Sequence, residues 1–238
     1  MKFQPQADDI LPKVIFLDAM GTLFGIKGTV GEIYRDIAIT YGVEVSASSI
    51  DKAFIVSFKT APTLAFDRND KEIYQQEFNW WKNVVKNTFE RVETVSNFTD
   101  FSAFFVELYE YFATEKPWYV YPDVIPSLQR WQQKGIQLGI ISNFDSRLYQ
   151  VLELLEIKQF FSSITISSEA GFAKPNPNIF KIAIEKYNCI SQQAWHIGDS
   201  FTEDYQGALA AEIKSFWLNR FQQSVNHENQ LPNLISLG

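Results

Sequence analysis

The stretch Val14-Ile15-Phe16-Leu17-Asp18-Ala19-Met20-Gly21-Thr22-Leu23-Phe24 decides how the chain is read. Four apolar residues, two of them β-branched, run without a polar break into an acid and then a glycine. This is the pattern of a strand buried on both faces that delivers one carboxylate at its carboxyl end. Asp18 is therefore the first candidate for chemistry. An ordinary strand and turn looks the same, so the reading depends on what the other strand ends supply.

Working outward, further strands are expected at Ile136–Ile141, Ser163–Ser167, Ala194–Ile197 and Lys214–Leu218 beside the first at Lys13–Leu17. Helices are expected at Val124–Lys134, Arg147–Leu155, Asn178–Tyr187 and Glu203–Ala211. Alternating strands and helices imply an α/β fold, a Rossmann-like parallel sheet with helices on both faces. Between about Ile26 and Pro117 strand-like runs give way to helical periodicity, with helices expected at Val30–Tyr41, Ser49–Leu64, Lys71–Val92 and Phe98–Thr114. The expected organisation is thus a Rossmann-like core from residues 1–25 and 118–238 and an inserted α-helical cap over 26–117. Inside the insert, Phe78, Trp81, Val85 and Phe89, and again Phe101, Phe104, Phe105, Leu108 and Phe112, recur every three or four residues, which favours a bundle core. A substrate-facing patch at Trp80 or Trp81 is the alternative. Arg35 and Arg68 have two readings, a cation for an anionic substrate or a solvated helix face. Residues 1–12 read as a loose tail, and the segment beyond Asn219 as polar with no assignable structure.

Composition bounds the function. With 238 residues, 46% hydrophobic and 16% aromatic, the chain has enough apolar side chains for a large core. A net charge of −7 with no Lys/Arg block argues against nucleic acid or an anionic membrane as partner. There is no apolar run of the ~20 residues needed to span a bilayer and no signal-peptide pattern at the start. One cysteine, Cys189, precludes an internal disulfide and suits a reducing compartment, so a cytoplasmic location is expected. Cys189 itself reads as a small packed residue. Nothing in the pattern chooses between monomer and homodimer.

Ligands of open parallel sheets gather at the carboxyl ends of the strands. The second core strand ends in Ser142-Asn143, whose hydroxyl and amide suit a phosphate or carboxylate oxygen, although turn chemistry alone uses the same residues. Lys174 precedes Pro175 and Pro177 in a constrained loop and reads as a placed point charge, with a solvated lysine as the alternative. Gly198-Asp199-Ser200-Phe201-Thr202-Glu203-Asp204 brings two further carboxylates to the edge that carries Asp18. Crowded carboxylates stay ionised only beside a cation, and hard oxygen ligands suit Mg²⁺. Helix capping by Glu203 or Asp204 competes for that pair. His196 reads as a packed strand residue, and two histidines in the chain make zinc a poor candidate.

Asp18-Ala19-Met20-Gly21-Thr22, Ser142-Asn143, Lys174-Pro175 and Gly198-Asp199-Ser200-x-x-x-Asp204, in that order, resemble the four motifs of the haloacid dehalogenase superfamily. The insert after the first motif resembles its small helical cap. Ile141-Ser142-Asn143-Phe144-Asp145-Ser146-Arg147 with Trp80-Trp81 is similar to the rhythmically-expressed-gene-like subgroup. The resemblance spans about residues 13–220. It implies a hydrolase, with a small phosphorylated metabolite as partner and Asp18 as nucleophile of an aspartyl-phosphate. Thr22, Ser142, Asn143 and Lys174 would contact the substrate, Ser142 and Lys174 taking part in catalysis. Mg²⁺ would be held by Asp18, the Met20 main-chain oxygen and Asp199, with Asp204 in or near its surroundings.

One position departs from that pattern. Phosphatases of the superfamily usually carry an aspartate two residues after the nucleophile as general acid and base, and here stands Met20, which moves no protons. Loss of such a group typically costs ~10²–10⁴ in rate. The 2-haloacid dehalogenases also lack that acid, so a dehalogenase is the first alternative, although the acidic fourth motif fits a metal and their reaction uses none. Phosphonoacetaldehyde hydrolases lack it too but need a cap lysine, for which Lys52 and Lys59 are the candidates. A weakly active or non-catalytic binder of metal and phosphate is the remaining class.

Overall fold

The structure, a computed structural model, describes residues 11–67, 72–221 and 227–238. Arg68 and the expected helix start at Lys71 lie outside the described residues, as does most of the expected N-terminal tail.

The chain opens with β1 (Val14–Leu17) and a short β2 (Phe24–Ile26), then enters four helices, α1 (Val30–Thr40), α2 (Ala47–Thr60), α3 (Ile73–Arg91) and α4 (Phe101–Tyr111). It returns through β3 (Trp118–Val120) to α5 (Val124–Gln133), β4 (Gln137–Ser142), α6 (Arg147–Leu154), β5 (Ser163–Ile166) and α7 (Ser167–Ala170). The last part holds α8 (Pro177–Ile184), β6 (Ala194–Gly198), a π-helical turn at Phe201–Gln206, α9 (Gly207–Ala210), β7 (Lys214–Leu218) and β8 (Gln230–Leu231). Six strands form one parallel sheet in the order β5-β4-β1-β6-β7-β8.

β1 sits between β4 and β6, and the chain leaves it in one direction to β4 and β5 before returning on the other side to β6 and β7. The order therefore reverses at β1, where an open parallel sheet forms its ligand crevice. Leu17 pairs with both Ile140 and Ile197, so Asp18, Ser142 and Asp199 leave three neighbouring strands at nearly the same level.

The uninterrupted apolar run of β1 is explained by its two buried faces. Ile15 and Leu17 pack into a cluster with Leu128 and Trp131 of α5 and Leu148 and Val151 of α6. Val14 and Phe16 point the other way, against Ile179, Phe180 and Ala183 of α8 and Ala208 of α9. All four β1 side chains are fully buried, each contributing about 1.5–3 kcal/mol. Cys189 is half-buried against the second cluster, and that burial pushes its thiol up.

Helices α1 to α4 build a third cluster of their own around Tyr34, Ile50, Phe89, Phe104, Phe105 and Leu108. α1 starts at a capping box, Thr29 accepting from the Glu32 amide while the Glu32 carboxylate accepts from that of Thr29. Ser46 and Asp100 cap α2 and α4. These caps explain why the helices start where they do.

Three features differ from the expectation. β2 and β3 form an antiparallel ribbon at the two crossings into the helical insert, too short at three residues each to show a period. The expected helix at Glu203–Ala211 begins instead as a π-helical turn, held by the Tyr205 amide reaching back to the Ser200 carbonyl at 3.2 Å. The tail beyond Asn219 is not merely polar: β8 extends the sheet, and Leu231, Leu234 and Leu237 are buried in the first cluster. Among the described residues no helix is long and apolar enough to cross a membrane.

Candidate active site

Asp18 is buried at the tip of β1, 7% exposed. Its Oδ1 accepts from Ser142 Oγ at 3.0 Å and pairs with Lys174 Nζ at 2.6 Å, while Oδ2 has no partner among the described residues. Burial raises the Asp18 carboxyl, the Lys174 ammonium lowers it, and the nearby Asp204 charge raises it again, for a net shift upward. Burial alone would lower Lys174, but Asp18 and Asp204 outweigh it and hold the ammonium charged.

Lys174 is fixed from both ends. Its main chain is clamped by the Asn143 side chain, which accepts from the Lys174 amide at 2.7 Å and donates to its carbonyl at 2.9 Å. Its Nζ bridges Asp18 and Asp204, the second at 2.5 Å. This commits the Asn143 side chain to the lysine, while the residue whose main-chain amide is expected on the substrate remains in the wall of the cavity that holds Asp18.

Asp204 is almost fully buried and both of its oxygens are engaged. Oδ1 meets Lys174 and His196 Nε2, the latter at 2.9 Å, and Oδ2 accepts from the Ser200 amide at 3.0 Å. Burial would raise its carboxyl, but Lys174 and His196 together hold it well below the usual carboxylate range. Asp204 therefore anchors the lysine and the turn, while one of its oxygens stays within reach of those of Asp18 and Asp199. Ser200, not Glu203 or Asp204, caps the turn by accepting from the Glu203 amide. His196 is packed on Phe180 as expected, yet it also serves Asp204.

Asp199 opens onto the cleft with its carboxyl pushed up to about 7, chiefly by the loss of bulk water around it and then by the Asp18 and Asp204 charges. One carboxylate oxygen from each of Asp18, Asp199 and Asp204 lies within 4.8 Å of the others. A hard divalent cation among them would remove the repulsion, so the donor set fits Mg²⁺. The Asp18, Asp199 and Asp204 carboxylates and the Met20 carbonyl, which accepts no hydrogen bond among the described residues, are the groups available to hold it. Thr22, expected on the substrate, is fully buried and donates to Asp199 Oδ1 at 3.4 Å instead.

Two glycines allow this crowding. A Cβ on Gly21, whose φ is +86°, would lie 2.4 Å from Asp199 Oδ2, and one on Gly198 would lie 2.0 Å from Asp204 Cγ. Gly198→Ala is expected to displace Asp204 and lower the thermal midpoint by roughly 4–8 °C, the scale of a ~2 kcal/mol loss in a chain of this size. An unchanged melting curve would show that Asp204 has room to yield.

Met20 is 42% exposed and lines a cavity of about 580 Å³ together with Asp18, Ser142, Asn143, Lys174 and Asp199. Trp80 and Trp81, weighted toward core packing by their spacing, are half-buried in its wall. Lys59 is exposed at the wall and Lys52 is not part of it. Arg35 pairs with Asp36 on a solvated helix face away from the cavity.

Several residues escaped sequence reasoning. Asp145 accepts from the Trp81 indole at 2.6 Å and pairs with Arg147 at 2.7 Å, and the Arg147 guanidinium lies 3.9 Å from the Tyr109 ring. Buried Glu77 accepts from both the amide and the hydroxyl of Ser146. α3 and α4 are thereby tied to the loop that follows Ser142. On the other flank Arg220 pairs with buried Asp123 at 2.8 Å and donates to the Gly21 and Thr22 carbonyls, bracing the turn that carries Met20. The sequence signal for Asp145, Arg147 and Trp81 was the stretch 141–147 read together with Trp80-Trp81, whereas Glu77, Asp123 and Arg220 gave none.

A family model described as haloacid dehalogenase-like hydrolase matches residues 12–212. The mouse haloacid dehalogenase-like hydrolase domain-containing protein 3 is 30% identical, covering 94% of this chain and 92% of its own. The rhythmically expressed gene 2 protein of Drosophila melanogaster is 27% identical over 93% of this chain and 92% of its own. The putative HAD-hydrolase YfnB of Bacillus subtilis, solved bound to magnesium, superposes with a TM-score of 0.72 at 16% identity, covering 96% of this chain and 97% of that one, a likeness of fold alone.

Proposed function

The chain belongs to the haloacid dehalogenase-like hydrolases, within the rhythmically-expressed-gene-like group, and on that footing we propose that it is a Mg²⁺-dependent phosphatase of a small phosphorylated metabolite in the cytoplasm. The observation that carries this reading is the state of Asp18: one oxygen held by Ser142 and Lys174, the other free, beside a second carboxylate whose own ionisation calls for a cation.

The residues divide the work as follows. Asp18 Oδ1 is fixed by its two donors, which orients the carboxylate and leaves Oδ2 as the attacking atom on phosphorus. Lys174 places a permanent positive charge where the phosphoryl oxygens become more negative, and Asn143, Asp204 and His196 keep it there. Ser142 is the nearest hydroxyl to the reacting carboxylate and orients it. Asp18, Asp199 and the Met20 carbonyl would hold Mg²⁺, which would supply Lewis-acid charge to the phosphoryl group. The helical segment over 26–117 serves as the cap domain of this core and encloses the substrate body.

A second reading is favoured by Met20: without a proton donor the site is also suited to expelling halide, as in a 2-haloacid dehalogenase. Asp199 weighs against it, because a raised carboxyl beside Asp18 has no task in a metal-free displacement.

The expected result is release of nitrophenolate from p-nitrophenyl phosphate that rises at least about tenfold on adding Mg²⁺ and is lost with EDTA. Metal-independent chloride release from 2-chloropropionate would move the assignment to the dehalogenase, and Mg²⁺ binding without either reaction to a non-catalytic binder.

A further inference from the structure

Resting on the phosphoryl-transfer reading, we propose that the substrate is an aryl phosphate, with its phosphate at Asp18 and its ring against the cap.

The cavity is sharply divided. Its floor carries Asp18, Ser142, Lys174 and Asp199, whereas the helical insert lines it mainly with aromatic and aliphatic side chains, with Lys59 and Thr63 among them. Phe58 meets Trp80 edge-on at 5.8 Å and Trp81 at 5.9 Å, Tyr34 meets Phe54 at 5.7 Å and Phe112 at 6.1 Å, and Phe112 meets Trp118 at 5.6 Å. The indole donors of that wall are spent elsewhere, Trp80 on the Pro62 carbonyl and Trp81 on Asp145. The Arg147 guanidinium is likewise committed to Asp145 and the Tyr109 carbonyl. A sugar or nucleotide would bring there more hydroxyls and ring nitrogens than Tyr34, Lys59 and Thr63 can pair, each unpaired one lowering affinity about tenfold. A planar ring leaves nothing unpaired and finds edges and faces to pack on.

Tyr34 adds a positive indication of a ligand. It is only 3% exposed, lines the cavity, and its hydroxyl has no hydrogen-bond partner among the described residues. It offers a polar point to a substituent on the ring.

The chemistry at the floor agrees independently. In the first step the bond from Asp18 Oδ2 to phosphorus forms as the ester P–O bond breaks, and the electron pair leaves on the phenolate, which takes a proton from solvent. In the second step a water oxygen bonds to phosphorus and the acyl phosphate P–O bond breaks. Asp18 is restored, hydrogen phosphate is released, and the remaining proton passes to solvent. The first step needs no donor at Met20, because a phenolate departs without one whereas an alkoxide does not, and in the second the attacking water gives its proton to solvent in place of a base at that position.

Binding separates the body of the substrate from its leaving-group chemistry. Trp80, Trp81 and Trp118 line the cavity, so tryptophan fluorescence of the Mg²⁺-loaded protein reads occupancy by non-hydrolysable phosphonates. Benzylphosphonate is expected to bind at least about thirtyfold more tightly than methylphosphonate, the scale of removing one phenyl ring from water. Phe58→Ser, at a side chain already 44% exposed, is expected to weaken benzylphosphonate at least about threefold and leave methylphosphonate unchanged. Equal affinities for the two phosphonates would overturn the aryl assignment and leave phosphoryl transfer standing. Failure of both phosphonates and of inorganic phosphate to bind would overturn the two together.

Discussion

Asp18→Asn is expected to lower kcat/KM on p-nitrophenyl phosphate by at least about 10⁴-fold while leaving the thermal midpoint, measured without Mg²⁺, unchanged or raised. The two halves of this result come from the same atoms. Oδ2 is the free oxygen of the site and an amide nitrogen in its place does not attack phosphorus, so no covalent intermediate forms. The stability half follows from sign. The Asp18 carboxyl is raised in the folded protein, by burial first, with Lys174 opposing and Asp204 adding to the shift. A raised acid weakens folding progressively as pH climbs above its ordinary value of 3.8 and toward its folded value. Asparagine removes that charge, keeps an oxygen for Ser142 and Lys174, and leaves Lys174 its second partner Asp204. Mg²⁺ should then stabilise the wild type more than the variant, because the negative charge that attracts the ion is gone. A variant retaining a tenth of the activity would sink Asp18 as nucleophile, and a variant melting well below wild type would trace the loss to the fold.

The same atoms show why the core of the site was legible in the sequence. Asp18, Ser142 and Asp199 sit at or just beyond strand ends, and a parallel sheet lays those ends side by side, so reading the strands was enough to bring distant residues together, with Lys174 reaching them from the loop between α7 and α8. What each residue bonds to was not legible. Asn143 and Thr22 are the right types for phosphate, but their orientation is settled by neighbours that the sequence does not name, the Lys174 main chain for one and Asp199 for the other. The long-range links around the site were hidden for a related reason: Trp81 and Asp145 lie 64 residues apart, and Arg220 and Asp123 lie 97 apart. No period of a helix or strand joins such pairs. Trp81 also keeps bundle spacing while facing the cavity, since a helix between a core and a cavity shows both the same apolar stripe.

Met20→Asp is expected to raise kcat/KM on an alkyl phosphate such as glycerol 3-phosphate by about 10²-fold or more, and on p-nitrophenyl phosphate by less than about threefold. The position tolerates the change, since Met20 is 42% exposed at the cavity edge and its main chain is fixed independently by the Ala19 and Gly21 hydrogen bonds to Phe24. The new carboxyl enters a neighbourhood that already holds Asp18, Asp199 and Asp204, and the part of their charge that bound Mg²⁺ does not neutralise favours its protonated form, the form that donates to a leaving oxygen. An alkoxide needs that proton, whereas nitrophenolate does not, and the difference between the two substrates isolates proton donation from any general effect on binding. The alkyl reaction should also acquire a decline at high pH that the wild type lacks, because the acid works only while protonated. If a folded variant with normal nitrophenyl phosphate turnover shows no gain on the alkyl ester, leaving-group protonation is not what this site is missing. The aromatic cavity wall would then be the principal barrier to alkyl substrates, an outcome that the phosphonate affinities measure separately.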